Sequence, residues 1–418
     1  MKAFILSIGD ELLIGQTVNT NVAKIGEALT SLRIRVKETH VVGDEVSPIM
    51  KAFEEGFANY DIVIVTGGLG PTHDDITLKC VAKYFNSELV IDENILEDIK
   101  QFFKKRGRPL TKLNEEQALV PKIAKSIRNT RGTAPGIWIE KENKIFIVMP
   151  GVPFEMSEMM DSFIVPKLKG KMLSIEGFII TLNLLTTGIP ESMLYERLGN
   201  LDELLQGAKL AFLPNQYGVK MRITVSGKDE GDATNRTSEI EQKIRGLVGR
   251  FIYGKNNDTM EDVVGRLLKE RGLKIATAES CTGGLIANRL TNVSGSSSYF
   301  ERGIVSYTNA SKVENLKVDE DLIQKYGAVS IEVARQMAEG IKSISGSDIG
   351  LAVTGIMGPT GATKDKPVGL VYISLCDDKI CAAKEFRFGD DRLLNKDRTS
   401  QAALEMLRRN LLSIPYDE

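Results

Sequence analysis

The sequence predicts an α/β protein: two three-layer α/β domains with mainly parallel sheets, joined by a small α+β domain. Two observations predict the outer domains. Apolar runs such as residues 61–66 end in glycines, and helically spaced apolar residues lie between these runs. A third observation predicts the middle domain, because residues 218–227 alternate between apolar and polar side chains. At ordinary domain sizes, this length corresponds to about three domains.

The first domain, residues 1–170, begins with the buried strand pattern KAFILSIG. A helix follows, for which Thr20 or Asn21 is the expected N-cap. Further strand patterns are RVKETHVVGD, DIVIVTGG and KIFIVMPG, which alternate with helical patterns. One of these helices contains Ile95 and Ile99, and Gly107 closes it. This alternation is typical of a doubly wound sheet.

The middle domain, residues 174–254, pairs the alternating strand with a polar helix over about Asp232–Leu247. A polar linker follows, in which Asp258 or Thr259 caps the next helix. From Met260 the α/β pattern returns, and it defines the last domain, residues 259–418.

Composition excludes several classes of protein. The formal net charge is −2 and the charged fraction is 26%, which argues against a bulk nucleic-acid or membrane-surface binder. No apolar run approaches the roughly 18 residues of a membrane span, and acidic residues come too early for a signal peptide. The four cysteines form no C-x-x-C pair. We therefore expect a reduced, cytoplasmic protein with neither a zinc site nor a disulfide framework.

A glycine-rich stretch, TGGLGPTHDDIT, follows the third strand pattern at residues 66–77. Its Gly67, Gly68 and Gly70 let the backbone approach a ligand, and exposed N–H groups there can hold an anion beside Thr72. Carboxylates also follow the strand ends, namely Asp10, Asp44, Asp74 and Asp75. Hard oxygen ligands beside such a loop suit Mg²⁺. Turn glycines and helix-capping aspartates are the alternative interpretation.

A second candidate site lies in TAESCTGGLIANRL, residues 277–290, where Ser280 and Cys281 precede Thr282, Gly283 and Gly284. A serine at a helix N-terminus is commonly a cap. Two more strand-end loops bring hydroxyl and amine groups to the same edge: Tyr307 and Lys312 in one, and Thr354 and Gly355 in the other. Small residues in the first loop leave room for a ligand.

A serine nucleophile needs a base, and the two histidines, His40 and His73, both lie far from this domain in the sequence. Lysine is the known substitute, provided that its pKa is lowered. Lys312 is the best placed candidate, and Lys364 and Lys366 are rivals. Backbone N–H groups near Gly283 or Gly355 would form an oxyanion hole. Ser280 is favoured as nucleophile over Cys281, which is expected to be a buried packing residue.

These motifs resemble known families over nearly the whole chain. AESCTGGLIANRLT, GIVSYTNASK, VTGIMGPTGAT, KPVGLVYI and FGDDR resemble the C-terminal domain of the CinA family. TGGLGPTHDDIT, NTRGTAPG and MPGVPFE resemble the molybdopterin-binding, MoaB/MogA-like domain, although Asp74 stands where those relatives have arginine. The middle domain resembles the KH-like module of the same family.

The resemblance implies a bifunctional hydrolase that recycles pyridine nucleotides. Its last domain would deamidate nicotinamide mononucleotide to nicotinate mononucleotide and ammonia without a cofactor. Ser280 would attack, Lys312 would accept the proton, and Tyr307 and Thr354 would orient the pair or bind the intermediate. Substrate-binding roles fall to Thr282, Gly283, Gly284 and Gly355, with Arg392 and Arg398 as candidate phosphate ligands.

For the first domain, the resemblance implies an ADP-ribose pyrophosphatase that uses Mg²⁺ or another divalent cation, with K⁺ as an optional companion. Pterin or nucleotide binding without catalysis is the alternative. A non-catalytic adaptor that binds nucleic acid is disfavoured, because the only G-x-x-G match in the middle domain, Gly246–Gly249, has an apolar centre. A homodimer is expected from the base rate of such enzymes.

Overall fold

The computed structural model describes residues 1–72, 75–171 and 178–416, so the candidate residues His73 and Asp74 lie outside the described residues. The chain divides into two compact units, residues 1–176 and residues 177–418. No helix among the described residues is long and apolar enough to cross a membrane.

The first unit contains eight described strands and eight α-helices. Its strands are β1 (Lys2–Ile8), β2 (Arg35–Val42), β3 (Ile62–Thr66), β4 (Leu89–Ile91), β5 (Leu119–Pro121), β6 (Lys125–Ile127), β7 (Gly136–Lys141) and β8 (Lys144–Met149). Its helices are α1 (Asp10–Leu13), α2 (Thr20–Ser31), α3 (Val46–Asn59), α4 (Thr77–Tyr84), α5 (Glu93–Lys105), α6 (Lys112–Glu115), α7 (Pro153–Met159) and α8 (Val165–Lys171).

The main sheet of this unit has the order β2-β1-β3-β8-β7-β6, and its first four strands are parallel. Successive side chains of β1 point to opposite faces of the sheet, and each face has its own hydrophobic core. Phe4 and Leu6 pack with α3 and α4 on one face, whereas Ala3 and Ile5 pack with α2 and α7 on the other. Both faces are therefore covered by helices, which explains the continuous apolar runs. The antiparallel strands β7 and β6 extend one edge.

The second unit contains nine strands and nine α-helices among its described residues. Its strands are β9 (Phe178–Thr186), β10 (Lys209–Asn215), β11 (Gly218–Gly227), β12 (Ile252–Lys255), β13 (Ile275–Glu279), β14 (Phe300–Val305), β15 (Ile349–Gly355), β16 (Leu370–Cys376) and β17 (Cys381–Arg387). Its helices are α9 (Glu191–Leu198), α10 (Leu201–Leu205), α11 (Glu230–Val248), α12 (Met260–Arg271), α13 (Leu285–Asn292), α14 (Asn309–Leu316), α15 (Glu320–Tyr326), α16 (Ile331–Ser345) and α17 (Arg392–Leu412).

Two sheets form this unit. The antiparallel sheet β10-β11-β9-β12 packs one face on α9, α10 and α11. In β11, Val219, Met221, Ile223 and Val225 are buried, so the predicted alternation is confirmed. Gly246–Gly249 lies where α11 ends, as predicted for a helix stop. The second sheet, β14-β13-β15-β16-β17, is parallel over its first three strands and lies between helices α12, α13 and α17 and helices α14 to α16.

The structure confirms one local prediction from the sequence and corrects two. The N-cap of α2 is Asn19, not Thr20 or Asn21, because the Asn19 side chain accepts from the Val22 amide. Thr259 is confirmed as the cap of α12. Cys376 and Cys381 face each other across β16 and β17 and form a disulfide. The expectation of a fully reduced chain is therefore wrong for this pair. The two cysteines are five residues apart in the sequence, and a β-hairpin over this segment places them opposite each other.

Candidate active site

The predicted nucleophile and base of the second unit, Ser280 and Lys312, lie close together near the carboxyl ends of β13 and β14. Ser280 follows directly after β13, and its amide donates to the carbonyl of Val353 on neighbouring β15. Lys312 lies one turn into α14, which begins at a capping box formed by Thr308 and Ser311. Because the carboxyl ends of parallel strands share one edge of the sheet, the two side chains meet there.

Ser280 and Lys312 form a buried pair. The Lys312 Nζ lies 3.1 Å from the Ser280 Oγ, and it also contacts the carbonyl oxygens of Ser306 at 2.9 Å and Tyr307 at 3.2 Å. Lys312 is 1% exposed and Ser280 is 8% exposed. Burial lowers the pKa of Lys312 below its ordinary value, with the nearby Cys281 acting in the opposite direction.

In all three contacts the Lys312 Nζ is the donor. A lysine that has lost one proton keeps two N–H groups, which the two carbonyl oxygens would accept, and its lone pair would then be available to the Ser280 hydroxyl. The geometry is therefore compatible with a lysine that acts as general base.

The Ser280 loop is held by a residue that the sequence analysis missed. Glu279, the last residue of β13, is 1% exposed. Its carboxylate accepts from the Thr282 hydroxyl at 2.7 Å and from the amides of Gly284, Ile286 and Ala287 at 3.0, 3.1 and 2.8 Å. The signal was available in the sequence, since a carboxylate just before a helix start is a common partner for free helical N–H groups.

This contact bears on two expectations about the loop. Ser280 is not the cap of the following helix: α13 begins at Leu285, its N-cap is Gly284, and Glu279 takes the free amides. Thr282 is fully buried with its hydroxyl bonded to Glu279, so in this structure it supports the loop, and its contact with substrate stays a prediction. Gly283 and Gly284 both adopt positive φ, 63° and 94°, which the tight turn requires.

Cys281, the competing nucleophile, packs in the core between the sheet and α17. Burial raises its pKa to about 12. A thiol with this pKa stays protonated at neutral pH and is a poor nucleophile. The rival bases are also absent from the pair: Lys366 donates to the carbonyls of Tyr326 and Val329, and Lys364 is exposed.

Cationic side chains of α17 lie beside the rim of the Ser280 site. Arg392 donates to the carbonyl of Gly358 at 2.7 Å and to the exposed Tyr307 hydroxyl at 3.1 Å. Lys396 lies near Gly283, such that a Cβ on that glycine would be 3.6 Å from the lysine nitrogen. Lys396 has no hydrogen-bond or ion-pair partner in the described part of the chain. Lys396 is not among the residues predicted from the sequence as phosphate ligands, since those were the arginines of the same segment.

Three other predicted residues lie away from the pair. The Thr354 hydroxyl donates to the carbonyl of Ala328 at 2.8 Å and is buried, and it makes no hydrogen bond to Ser280 or Lys312. Gly355 pairs with Val371 at the end of β15, where a Cβ would collide with β16. Arg398 lines a separate groove, which Ser280 and Lys312 do not line, and its role as a phosphate ligand stays a prediction.

The first unit carries a separate cavity of about 540 Å³ at the end of β3. Gly68, Gly70, Thr72 and Asp75 line it, as does Lys79. Gly67 adopts a φ of 112°, and a Cβ there would collide with the carbonyl of Ile8. The close crossing of two strand ends therefore requires this glycine, and the loop after it forms one wall of the cavity.

The predicted carboxylates of this unit separate into two groups. Asp10 and Asp44 exchange contacts: the Asp10 amide donates to Asp44 at 3.0 Å, and the Asp44 amide donates to Asp10 at 3.3 Å. Asp75 instead accepts from the Gly70 amide at 2.8 Å and from the Thr72 amide and hydroxyl at 2.9 and 2.5 Å. Among the described residues, Asp10, Asp44 and Asp75 do not form one three-ligand cluster.

Comparison with protein families gives matches over most of the chain. The family model described as "Probable molybdopterin binding domain" matches residues 4–170. "Damage-inducible protein CinA KH domain" matches residues 181–254, and "CinA C-terminal domain" matches residues 257–411.

Whole-length relatives agree with these matches. A protein named as competence-damage inducible in Caldicellulosiruptor saccharolyticus is 43% identical over 413 residues, which cover 99% of this chain and 100% of the relative. A CinA-like protein of Chloroherpeton thalassium is 42% identical, over 98% of this chain and 99% of the relative. Over part of the chain only, the sequence is also similar to a solved structure: the crystal structure of the competence/damage inducible protein CihA from Agrobacterium tumefaciens is 40% identical, over 36% of this chain and 94% of that chain, with a TM-score of 0.35.

Proposed function

The chain belongs to the CinA family of competence-damage inducible proteins, and on that basis we propose that its last domain deamidates nicotinamide mononucleotide by a serine–lysine mechanism. The buried contact of 3.1 Å between Lys312 and Ser280 carries this proposal. It provides a nucleophile and a base in a region whose described residues include no histidine.

The Lys312–Ser280 contact supports a two-step hydrolysis through a serine ester. Lys312 accepts the Ser280 proton while the Ser280 Oγ forms a bond to the carboxamide carbon. Collapse of the tetrahedral intermediate breaks the carbon–nitrogen bond, and Lys312 returns the proton to the departing ammonia. Water then hydrolyses the resulting serine ester with the same lysine as base, which yields nicotinate mononucleotide.

The rim of the site supports a phosphorylated substrate. Gly283 and Gly284 carry no side chain, and a Cβ on Gly284 would lie 3.6 Å from the exposed Val305, so this loop leaves space beside Ser280 for a flat ring. Beside it, Arg392 and Lys396 present positive charge at the start of α17, where a 5′-phosphate would find charge-assisted partners. Lys396 replaces Arg398 in this assignment.

The substrate assignment is tested by comparing nicotinamide mononucleotide with nicotinamide riboside, which lacks the phosphate. Wild type should release ammonia and nicotinate mononucleotide. Lys396→Met should raise KM for the mononucleotide about tenfold or more, since a charge-assisted hydrogen bond contributes about 1.5–3 kcal/mol. Its effect on the riboside should be small. Lys325→Met is the matched control, and equal losses on both substrates would contradict a phosphate contact.

For the first domain we propose hydrolysis of the diphosphate of ADP-ribose. Asp10 and Asp44, side by side at adjacent strand ends, fit a divalent cation, because Mg²⁺ commonly uses one or two carboxylates together with substrate phosphates. When bound, the cation would neutralise the diphosphate charge. Asp75 accepts from the amides of Gly70 and Thr72 and so holds this loop in place as one wall of the cavity.

This second activity has its own test. With Mg²⁺, the full chain should convert ADP-ribose to AMP and ribose 5-phosphate, and EDTA should stop the reaction. Asp44→Asn should reduce the rate strongly, whereas Asp161→Asn, an exposed control in the same unit, should not. Binding of a pterin without any AMP formation would instead support the non-catalytic alternative.

A further inference from the structure

A cavity of about 750 Å³ in the second unit has no role in the chemistry described above. It lies between the β10–β11 turn on one side and the end of β17 with helix α17 on the other. Tyr217 comes from the turn, Phe386 and Phe388 from the end of β17, and Arg398 and Gln401 from α17. We call this cavity the α17 groove. Its lining includes none of Ser280, Lys312, Arg392 and Lys396.

Two side chains of the groove have hydrogen-bond donors without acceptors. The Gln401 side chain is 3% exposed, and its Oε1 accepts from Arg289 at 2.8 Å, which fixes the orientation of the amide. Its buried Nε2 then has no partner. Arg398, half-buried, has no partner for its guanidinium among the described residues. Since unmade hydrogen bonds of buried donors are costly, a ligand that brings acceptor oxygens would be stabilised here.

The charges of the groove favour an anionic ligand. Lys384, Arg387, Arg398 and Arg409 line it, against two carboxylates, Glu191 and Glu405. Glu405 is already neutralised, because it accepts from Arg409 at 2.7 Å and from Arg408 at 2.7 Å. That cluster of one carboxylate and two guanidinium groups therefore keeps one positive charge, and Arg398 adds another.

The walls of the groove are aromatic. The rings of Phe386 and Phe388 are nearly parallel, with 9° between their planes and 6.0 Å between their centroids. Across from them, Tyr217 is held by the Arg289 guanidinium, 5.0 Å from the ring centroid. Aromatic faces of this kind stack on flat rings. The volume lies within the range of about 300–1,000 Å³ typical of small-molecule sites.

We propose that the α17 groove binds a free nucleoside phosphate, with its phosphate on Arg398 and Gln401 and its base against the aromatic wall. Both groups need anionic oxygens, and arginine suits the geometry of phosphate. This site is separate from the proposed deamidase and pyrophosphatase sites, and it stands whether or not those activities are found.

Hydrogen exchange of the full chain, titrated with ADP in EDTA, resolves this site from the others by position. Millimolar ADP should slow exchange in peptides that cover residues 214–218 and 384–388, which contain no residue of the other two sites. Arg398→Ala should raise the ADP concentration for half-protection about tenfold or more, because it removes a charge-assisted contact. Gln401→Glu should do the same, since it keeps the acceptor for Arg289 and adds repulsion. Arg335→Ala, an exposed change on α16 at the opposite face of the sheet, should leave protection unchanged.

Three results would overturn the proposal. The first is an absence of protection at saturating ADP, and the second is equal protection in wild type, Arg398→Ala and Gln401→Glu. The third is protection of these peptides by a short single-stranded RNA but not by ADP, which would assign the groove to a polymer. Unfolding measurements on both variants confirm that a loss of protection reflects binding rather than loss of the fold.

Discussion

At the scale of single residues, the proposed chemistry depends on burial. Lys312 is held among two carbonyl oxygens and one hydroxyl with almost no access to solvent. The same burial has opposite consequences for its neighbour: it favours the neutral, basic form of the lysine and the neutral, inert form of the Cys281 thiol. One apolar environment therefore selects the serine over the cysteine.

Deamidase activity should rise with pH through the lowered pKa of Lys312 and then level off, because only the neutral amine accepts the serine proton. The measurement is kcat/KM for nicotinamide mononucleotide against pH. Cys281→Ala should keep a rising limb, displaced if at all toward lower pH, because Cys281 raises the pKa of Lys312. A limb that disappears in Cys281→Ala would show that a thiol, not the lysine, is the titrating group.

The lowered pKa of Lys312 also makes the free energy of unfolding depend on pH. Folded Lys312 releases its proton below the ordinary lysine range, so the unfolded chain binds more protons there. Its contribution to the free energy of unfolding therefore increases as the pH rises from the lowered pKa toward the ordinary value.

Glu279→Gln should impair the site without removing any reacting group. The amide retains one acceptor oxygen and loses the other, so at least one of the four donors of the loop is left unpaired, at a cost of about 1–3 kcal/mol. We expect kcat to fall at least tenfold while KM changes less, because the Ser280 loop shifts whereas Arg392 and Lys396 of α17 do not bond to Glu279. Glu320→Gln, an exposed change in the first turn of α15, is the control. An unchanged kcat would contradict the positioning role of Glu279.

The sequence places Ser280 and Lys312 on adjacent strand ends, and the structure brings them to 3.1 Å. Strand-end loops are predictable because parallel strands share an edge. The partners of Thr282 and Thr354 were not predictable in this way, because a short hydroxyl bonds to whichever carboxylate or carbonyl lies nearest after folding. The roles of Arg398 and Lys396 were not predictable either. The two residues are two positions apart on α17, so they lie on different faces of the helix, and the sequence does not show which face is turned toward Ser280.

At the scale of elements, Arg289 links the helix after the nucleophile loop to two others. It lies on α13, is 7% exposed, and donates to Glu261 of α12 and to Ser400 and Gln401 of α17. The sequence predicts these helices separately from their apolar spacing. It does not predict how these helices are held together, because that depends on the buried Arg289 guanidinium, whose partners lie 28 to 112 residues away in the sequence.

Arg289→Met should lower the free energy of unfolding of the second unit by about 3 kcal/mol or more, since it leaves the partly buried Glu261 without its partner. Urea unfolding measures the effect. The control is Arg302→Met, which breaks an exposed pair with Glu301 and should cost less than about 1 kcal/mol. Equal losses in the two variants would contradict a structural role for the buried pair.

At the scale of the whole molecule, the chain consists of two compact units with separate cores. The sequence predicts the α/β alternation in both, because continuous apolar strands need helices on both faces. It does not predict the antiparallel strands at the sheet edges, β6, β7, β16 and β17. A strand carries the same apolar pattern in either direction, so periodicity alone leaves the direction of these strands open.

A fragment of residues 177–418 should fold by itself and retain ammonia release from nicotinamide mononucleotide, because the Ser280–Lys312 pair and all its described partners lie within this unit. The measurements are the thermal unfolding of the fragment and its kcat/KM beside those of the full chain. A folded fragment without activity would show that the first unit is required for the chemistry.

The central claim is that Lys312 activates Ser280 to attack a carboxamide. The most direct measurement is ammonia release from nicotinamide mononucleotide by four full-length proteins: wild type, Ser280→Ala, Lys312→Met and Cys281→Ala. We predict loss of activity by about a thousandfold or more in Ser280→Ala and Lys312→Met, as for other nucleophile and base removals, and near wild-type activity in Cys281→Ala. Full activity in Ser280→Ala, or loss confined to Cys281→Ala, would contradict the account.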